Sequence, residues 1–244
     1  MPTGEIVVRG RFAAWLDNFW YHYKWHVIGI VAAVLVLAIG IGSVVAREEE
    51  DLTLVYAGPT VLSMEELEQI SAVVENLLPA DFDENGEKHV AWMTYQIYSK
   101  EQMQALSAQK DENGRPLRTV DASFNTSEYN TYGNYLLTGE TSVYFLDPWL
   151  YEELRSADRL MSLSEVLGVV PESAVDEYGV RLGETDLYEA YGVMRLLPAD
   201  TVICLMKPYK GAPGSRSADE EAYQFECDTF RALVTFANED ERAE

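Results

Sequence analysis

Residues Val27–Ala46 read VIGIVAAVLVLAIGIGSVVA, 20 residues without a charge. At ~1.5 Å per residue such a helix reaches about 30 Å, the hydrocarbon thickness of a bilayer. A core helix in a globular protein keeps a polar face, and this run has none. It is therefore expected to be a single transmembrane helix. Val44 and Ala46 suit the positions before a signal cleavage site. The run is nonetheless longer than the ~7–15 apolar residues of a signal core and has a long lead, so a retained anchor is the preferred reading.

The flanks give a direction. Arg9, Arg11 and Lys24 precede the run, whereas Arg47 is followed at once by Glu48, Glu49, Glu50 and Asp51. Basic residues stay on the cytoplasmic side, so the N-terminus is expected in the cytoplasm and the rest of the chain outside it. Residues 1–26 form a cytoplasmic and interfacial segment, because WLDNFWYHYKWH (Trp15 to His26) has the aromatic content of a head-group layer. Residues 47–51 are a charged stalk, 52–238 an extracytoplasmic domain and 239–244 a charged tail. Ala38, Gly42 and Ala46 stand four apart, a spacing that permits close helix packing and a homodimer through the membrane.

Charge narrows the partners. The net charge is −23, and residues 1–46 hold Arg9, Arg11 and Lys24 against Glu5 and Asp17, so the remainder carries −24. Such a domain repels nucleic acid and anionic lipid. Two cysteines, Cys204 and Cys227, and three histidines, His22, His26 and His89, are too few for a disulfide scaffold or a metal cluster.

Beyond the stalk, strands and helices alternate. LTLVY (Leu52–Tyr56) is a strand ended by Gly58-Pro59. Ser63 and Glu66 form a capping box for a helix with Leu67, Ile70, Val74 and Leu77 on one side. VAWMTYQIY (Val90–Tyr98) is a second strand, and Ser99 with Gln102 caps the next helix. A helix over 127–137 ends at Gly139, VYFL (Val143–Leu146) is a third strand, and Pro148 opens a helix to Leu154. A short turn follows at 164–167, and VICLM (Val202–Met206) is a buried strand. Ser217 and Glu220 are expected to cap the last helix, whose stripe is Tyr223, Cys227, Phe230, Val234 and Ala237. Residues 171–197 carry no clear pattern. The alternation implies an α/β domain with a mainly parallel sheet covered by helices. Cys204 on its strand and Cys227 on the helical stripe both face inward, so a disulfide and two buried thiols both fit, the thiols better.

No nucleophile elbow, Walker loop, HExxH or Ser-x-x-Lys motif is present, and Gly211-Ala212-Pro213-Gly214 lacks the Lys-Ser/Thr of a phosphate loop. No catalytic residue and no cofactor is expected. Asp81, Asp83 and Asn85 match the first half of a calcium loop, but its twelfth position, a bidentate carboxylate in such loops, is Trp92. Asn-Gly is a turn signal in its own right and recurs at Asn113-Gly114, so turns are the simpler reading of both runs. Tyr95, Tyr98, Tyr129, Tyr132, Tyr135, Tyr144, Tyr151, Trp92 and Trp149 can fill a core or line a cleft that stacks on a sugar ring or another flat ligand.

The stretch Leu136 to Asp147 (LLTGETSVYFLD), with Tyr151-Glu152-Glu153-Leu154 and Leu160-Met161-Ser162-Leu163, resembles the extracellular solute-binding proteins of the type 2 periplasmic-binding fold. There a helix ends in Gly, and an Asp-Val-Tyr/Phe strand delivers a residue to the ligand cleft. Ser142 stands where the Asp is usual. The Asp-x-Asp-x-Asn-Gly run and the aromatic lead resemble membrane-anchored members from Gram-positive bacteria. Complete members have two lobes and are longer, so the resemblance implies a reduced domain. It implies a ligand cleft near Tyr144, Asp147 and Trp149, after the third strand, faced by Tyr56 and Gly58 after the first. The expected function is a membrane-anchored, non-catalytic module that binds a small ligand or a transporter or sensor partner. The alternative is a scaffolding subunit of a membrane complex.

Overall fold

The computed structural model describes residues 10–45, 50–112, 116, 118–209, 211 and 214–237. Two compact units, Met1–Glu49 and Glu50–Glu244, divide the chain.

In the first unit α1 spans Arg11–Val45 without a break. The expected interfacial lead and the apolar run up to Val45 thus form one helix. Trp15 stacks on Phe19 and Phe19 on Tyr23, four residues apart, where side chains of one helix face meet. Side chains of the apolar run are described from Val27 to Val36. Among the described residues no helix is long and apolar enough to cross a membrane. The side chains of Ala38 and Gly42, all of Ala46 and 47–49, and the tail 239–244 lie outside the described residues.

The second unit is built on a five-stranded sheet in the order β2-β1-β3-β5-β4. The strands are β1 (Leu52–Gly58), β2 (Val90–Gln96), β3 (Val143–Leu146), β4 (Gly179–Arg181) and β5 (Val202–Leu205). β1 pairs in parallel with β2 and β3, while β5 runs antiparallel between β3 and β4. The expected mixed α/β architecture with a mostly parallel sheet is present.

Helices cover both faces. Leu52, Leu54, Tyr56, Phe145 and Ile203 face one side, packed by α2 (Met64–Glu75), α6 (Leu163–Leu167), α7 (Asp186–Ala190) and α8 (Glu220–Val234). Val55, Ala57, Tyr144, Leu146 and Cys204 face the other, packed by α4 (Ala122–Tyr135) and α5 (Pro148–Ser156). The period-2 alternation of the strands separates these two cores.

Both capping boxes form as read, Ser63–Glu66 on α2 and Ser99–Gln102 on α3 (Lys100–Ala108). Two expectations are corrected. α4 begins at Ala122, five residues before the expected start, because Asp121 accepts from the Ser123 and Phe124 N–H groups as its N-cap. α8 is capped by Asp219, while Ser217 lies in a 3-10 turn, Arg216–Ala218. Of the two readings of Cys204 and Cys227, the favoured one holds: both thiols are free and buried, in opposite cores with the sheet between them. The unassigned stretch 171–197 holds β4, α7 and two 3-10 turns, elements too short to leave a period. Gly139, with φ +68, sits where a Cβ would meet Ser215 Oγ at 2.1 Å, so only glycine fits the turn into β3.

Candidate functional site

The strand order reverses at β1. The chain passes from β1 through α2 to β2 on one side, then through α3 and α4 to β3 on the other. In open α/β sheets, the crevice past the carboxyl ends at such a reversal is where ligands sit. Here those ends are Gly58 on β1 and Asp147 after β3, whose N–H donates to the Ala57 carbonyl at 2.8 Å. The two strands approach closely: a Cβ on Gly58 would lie 2.7 Å from Tyr56 Oη and 3.4 Å from Asp147 Cβ.

Asp147 is the N-cap of α5, with Pro148 at the first helical position. Its Oδ1 accepts from the Trp149 N–H at 3.2 Å, and its Oδ2 accepts from Gln102 Nε2 at 2.7 Å. Gln102 Oε1 in turn accepts the Ser99 N–H at 2.8 Å, so one side chain ties the caps of α3 and α5 together. Burial raises the Asp147 pKa, against the lowering effect of Gln102 and Trp149.

Beside this junction lies a cleft of about 380 Å³, lined by Tyr98, Ser99, Lys100, Met103, Asn125, Thr126, Tyr129 and Trp149 among others. Trp149 and Tyr129 stack with centroids 6.0 Å apart and planes 16° from parallel. The Tyr129 hydroxyl donates to Glu153 Oε2 at 3.0 Å, which fixes the ring. The Trp149 indole nitrogen is buried and has no acceptor. Asn125 holds both main-chain groups of Tyr98, accepting its N–H at 2.8 Å and donating to its carbonyl at 3.0 Å.

Of the expected ligand residues, Trp149 lines the cleft, and Asp147 and Gly58 stand at the strand ends behind it. Tyr56 and Tyr144 are buried in opposite cores. The Tyr56 hydroxyl accepts the Thr60 N–H at 3.3 Å, bracing the loop after β1. Asn125 and Gln102, central to the geometry, carry no ligand signature in the sequence. Gln102 was visible only as a helix cap. The lining side chains include no histidine, no cysteine and no pair of carboxylates. A flat aromatic surface with hydroxyl and amide groups, one amine (Lys100) and one carboxylate (Glu101) suits binding of a polar ring without net charge.

The calcium-loop residues behave as turn residues. Asp81 accepts the Gly86 N–H at 2.7 Å, which holds its carboxyl below the usual range. Asp83 Oδ1 accepts from the Asn85 N–H at 3.0 Å, and Asn85 Oδ1 from that of Glu87 at 2.8 Å. Among the described residues, the one group of His, Cys, Asp or Glu side chains close enough to share a metal ion is Asp51, Asp81 and Asp83. Their oxygens lie within 4.8 Å of one another, a spacing open to a hard divalent cation. Asp51, at the mouth of β1, is already engaged by the N–H groups of Phe82, Asp83 and His89.

No family model matches the chain, and no curated protein or solved structure matches it.

Proposed function

We propose that this protein is a membrane-anchored, non-catalytic binding module whose cleft past β2 and β3 takes a small ligand with a flat ring, a sugar or an aromatic. The carrying observation is the position of the Trp149–Tyr129 stack beside the reversal point of the strand order. The apolar run Val27–Ala46, its basic lead and the acidic residues after it support a single span with the second unit outside the cytoplasm. The cleft's lining, mostly aromatic, hydroxyl and amide side chains with no histidine or cysteine, accords with binding without turnover.

The reduced solute-binding resemblance accords with a single sheet serving one cleft. One observation favours the scaffolding alternative: Asp147 is occupied by Gln102 and Trp149, so the carboxylate that follows β3 is not free for a ligand.

A thermal-shift screen of the full chain in detergent micelles separates the two. Mono- and disaccharides, nucleosides and aromatic amino acids are the panel. The binding reading expects at least one class to raise Tm, and the rise to vanish in Trp149→Ala. A flat response to every class favours the scaffold.

A further inference from the structure

We propose that the outer edge of β2 is a docking strand for an extended, basic segment of a partner protein. β2 is the end strand of the sheet. Its pairing with β1 fixes which main-chain groups face outward. The Ile97 N–H donates to the Gly58 carbonyl at 2.9 Å, and the His89 carbonyl accepts from Leu52 at 3.4 Å, so odd-numbered residues face β1. The even-numbered ones, Val90, Trp92, Thr94, Gln96 and Tyr98, turn their N–H and C=O groups outward.

Both ends of that outward row are closed by side chains. At Val90, the N–H donates to Glu75 Oε1 at 3.1 Å and the carbonyl accepts from Ser71 Oγ at 3.0 Å. At Tyr98, Asn125 occupies both groups. The three residues between, Trp92, Thr94 and Gln96, have no main-chain partner on this side among the described residues. The gap therefore has a defined length and two stops. Exposed edges are usually blunted by charge, proline or a bulge. Val90–Tyr98 contains no charge and no proline, and its register with β1 runs unbroken from Val90 to Gln96.

Charge selects the occupant. A groove of about 500 Å³ runs between α2 and the start of β2, and Glu50, Glu68 and Glu75 line it beside Trp92 and His89. His89 Nδ1 lies 3.7 Å from Glu75, so Glu50 and Glu68 are the carboxylates without a cationic neighbour in the lining. An incoming strand would carry alternate side chains into this acidic groove, where lysine or arginine gains and acid loses. A second copy would bring another −24 domain against it, which opposes self-pairing.

The test is amide exchange of the full chain in detergent micelles, with and without a seven-residue peptide alternating valine and lysine. A peptide with glutamate for lysine is the control. Exchange at Trp92, Thr94 and Gln96 is expected to slow roughly tenfold or more with the lysine peptide. Met93, Tyr95 and Ile97, paired with β1, should stay as they are. Thr94→Pro removes an outward N–H and spares the ladder to β1, so it should abolish the protection. If that variant unfolds, Thr94→Lys gives the same readout by repulsion. Equal protection by the glutamate peptide, or none by either, overturns the proposal. Protection without peptide that rises with protein concentration assigns the edge to a second copy and overturns it as well.

Discussion

Asn125 on α4 stands in for a neighbouring strand at Tyr98, accepting its N–H at 2.8 Å and donating to its carbonyl at 3.0 Å. The same side chain closes the open edge of β2 and forms part of the cleft wall. Asn125→Ala leaves two main-chain groups without partners and is expected to cost roughly 1–3 kcal/mol. Asn125→Asp keeps the acceptor alone and should fall between. Chemical denaturation of the three proteins checks the order.

Glu226 on α8 is fully buried, with Arg216 Nε 3.3 Å from its Oε1 and no hydrogen bond to either carboxylate oxygen. Burial pushes its pKa up to about 7, while the proximity of Ser142 and Arg216 opposes the shift. The folded form therefore holds this proton more tightly than the unfolded chain does. The stability it contributes is complete below the ordinary value of 4.5 and is lost as pH rises through about 7. At ~1.4 kcal/mol per unit, the loss is roughly 3 kcal/mol. Between pH 5 and 8 the wild type should lose Tm more steeply than Glu226→Gln. Parallel curves for the two proteins would refute this.

Gly58→Ala places a methyl group 2.7 Å from the buried Tyr56 hydroxyl and against Asp147. The expected cost is about 1–3 kcal/mol from overpacking. Tyr56→Phe removes that oxygen and should restore most of the stability in the double variant, a coupling read by a double-mutant cycle.

Much of this fold is written in local signals. The two capping boxes, Gly139 and the apolar runs of β1, β3 and β5 report themselves, because each element's own residues satisfy its ends or its burial. β4 does not, since three residues carry no period and its place is set by β5. The cleft was half legible. Trp149 and Asp147 follow from the rule that ligands lie past strand ends. Asn125 and Gln102 do not, because their roles depend on Tyr98 and Asp147, 27 and 45 residues away along the chain. Tyr56 and Tyr144 look like ligand residues by type and neighbourhood, but the alternation of their strands buries them.

The apolar run makes a cellular prediction. The full chain should resist alkaline extraction from membranes, and protease added to intact cells should remove the second unit while sparing the aromatic lead. Release of the intact chain by alkali would contradict an anchor at Val27–Ala46.

Ligand binding in the cleft beside Trp149 can be read from one side chain. The indole N–H of Trp149 is buried without an acceptor, so its proton resonance should respond to any occupant. Nitrogen-15 spectra of the full chain in micelles, with the peak assigned through Trp149→Phe, read this directly. A ligand that raises Tm should shift the Trp149 signal in a saturable way and leave those of Trp15 and Trp20 in place. A Tm rise with the Trp149 signal unmoved would put the ligand elsewhere and contradict the assignment of this cleft.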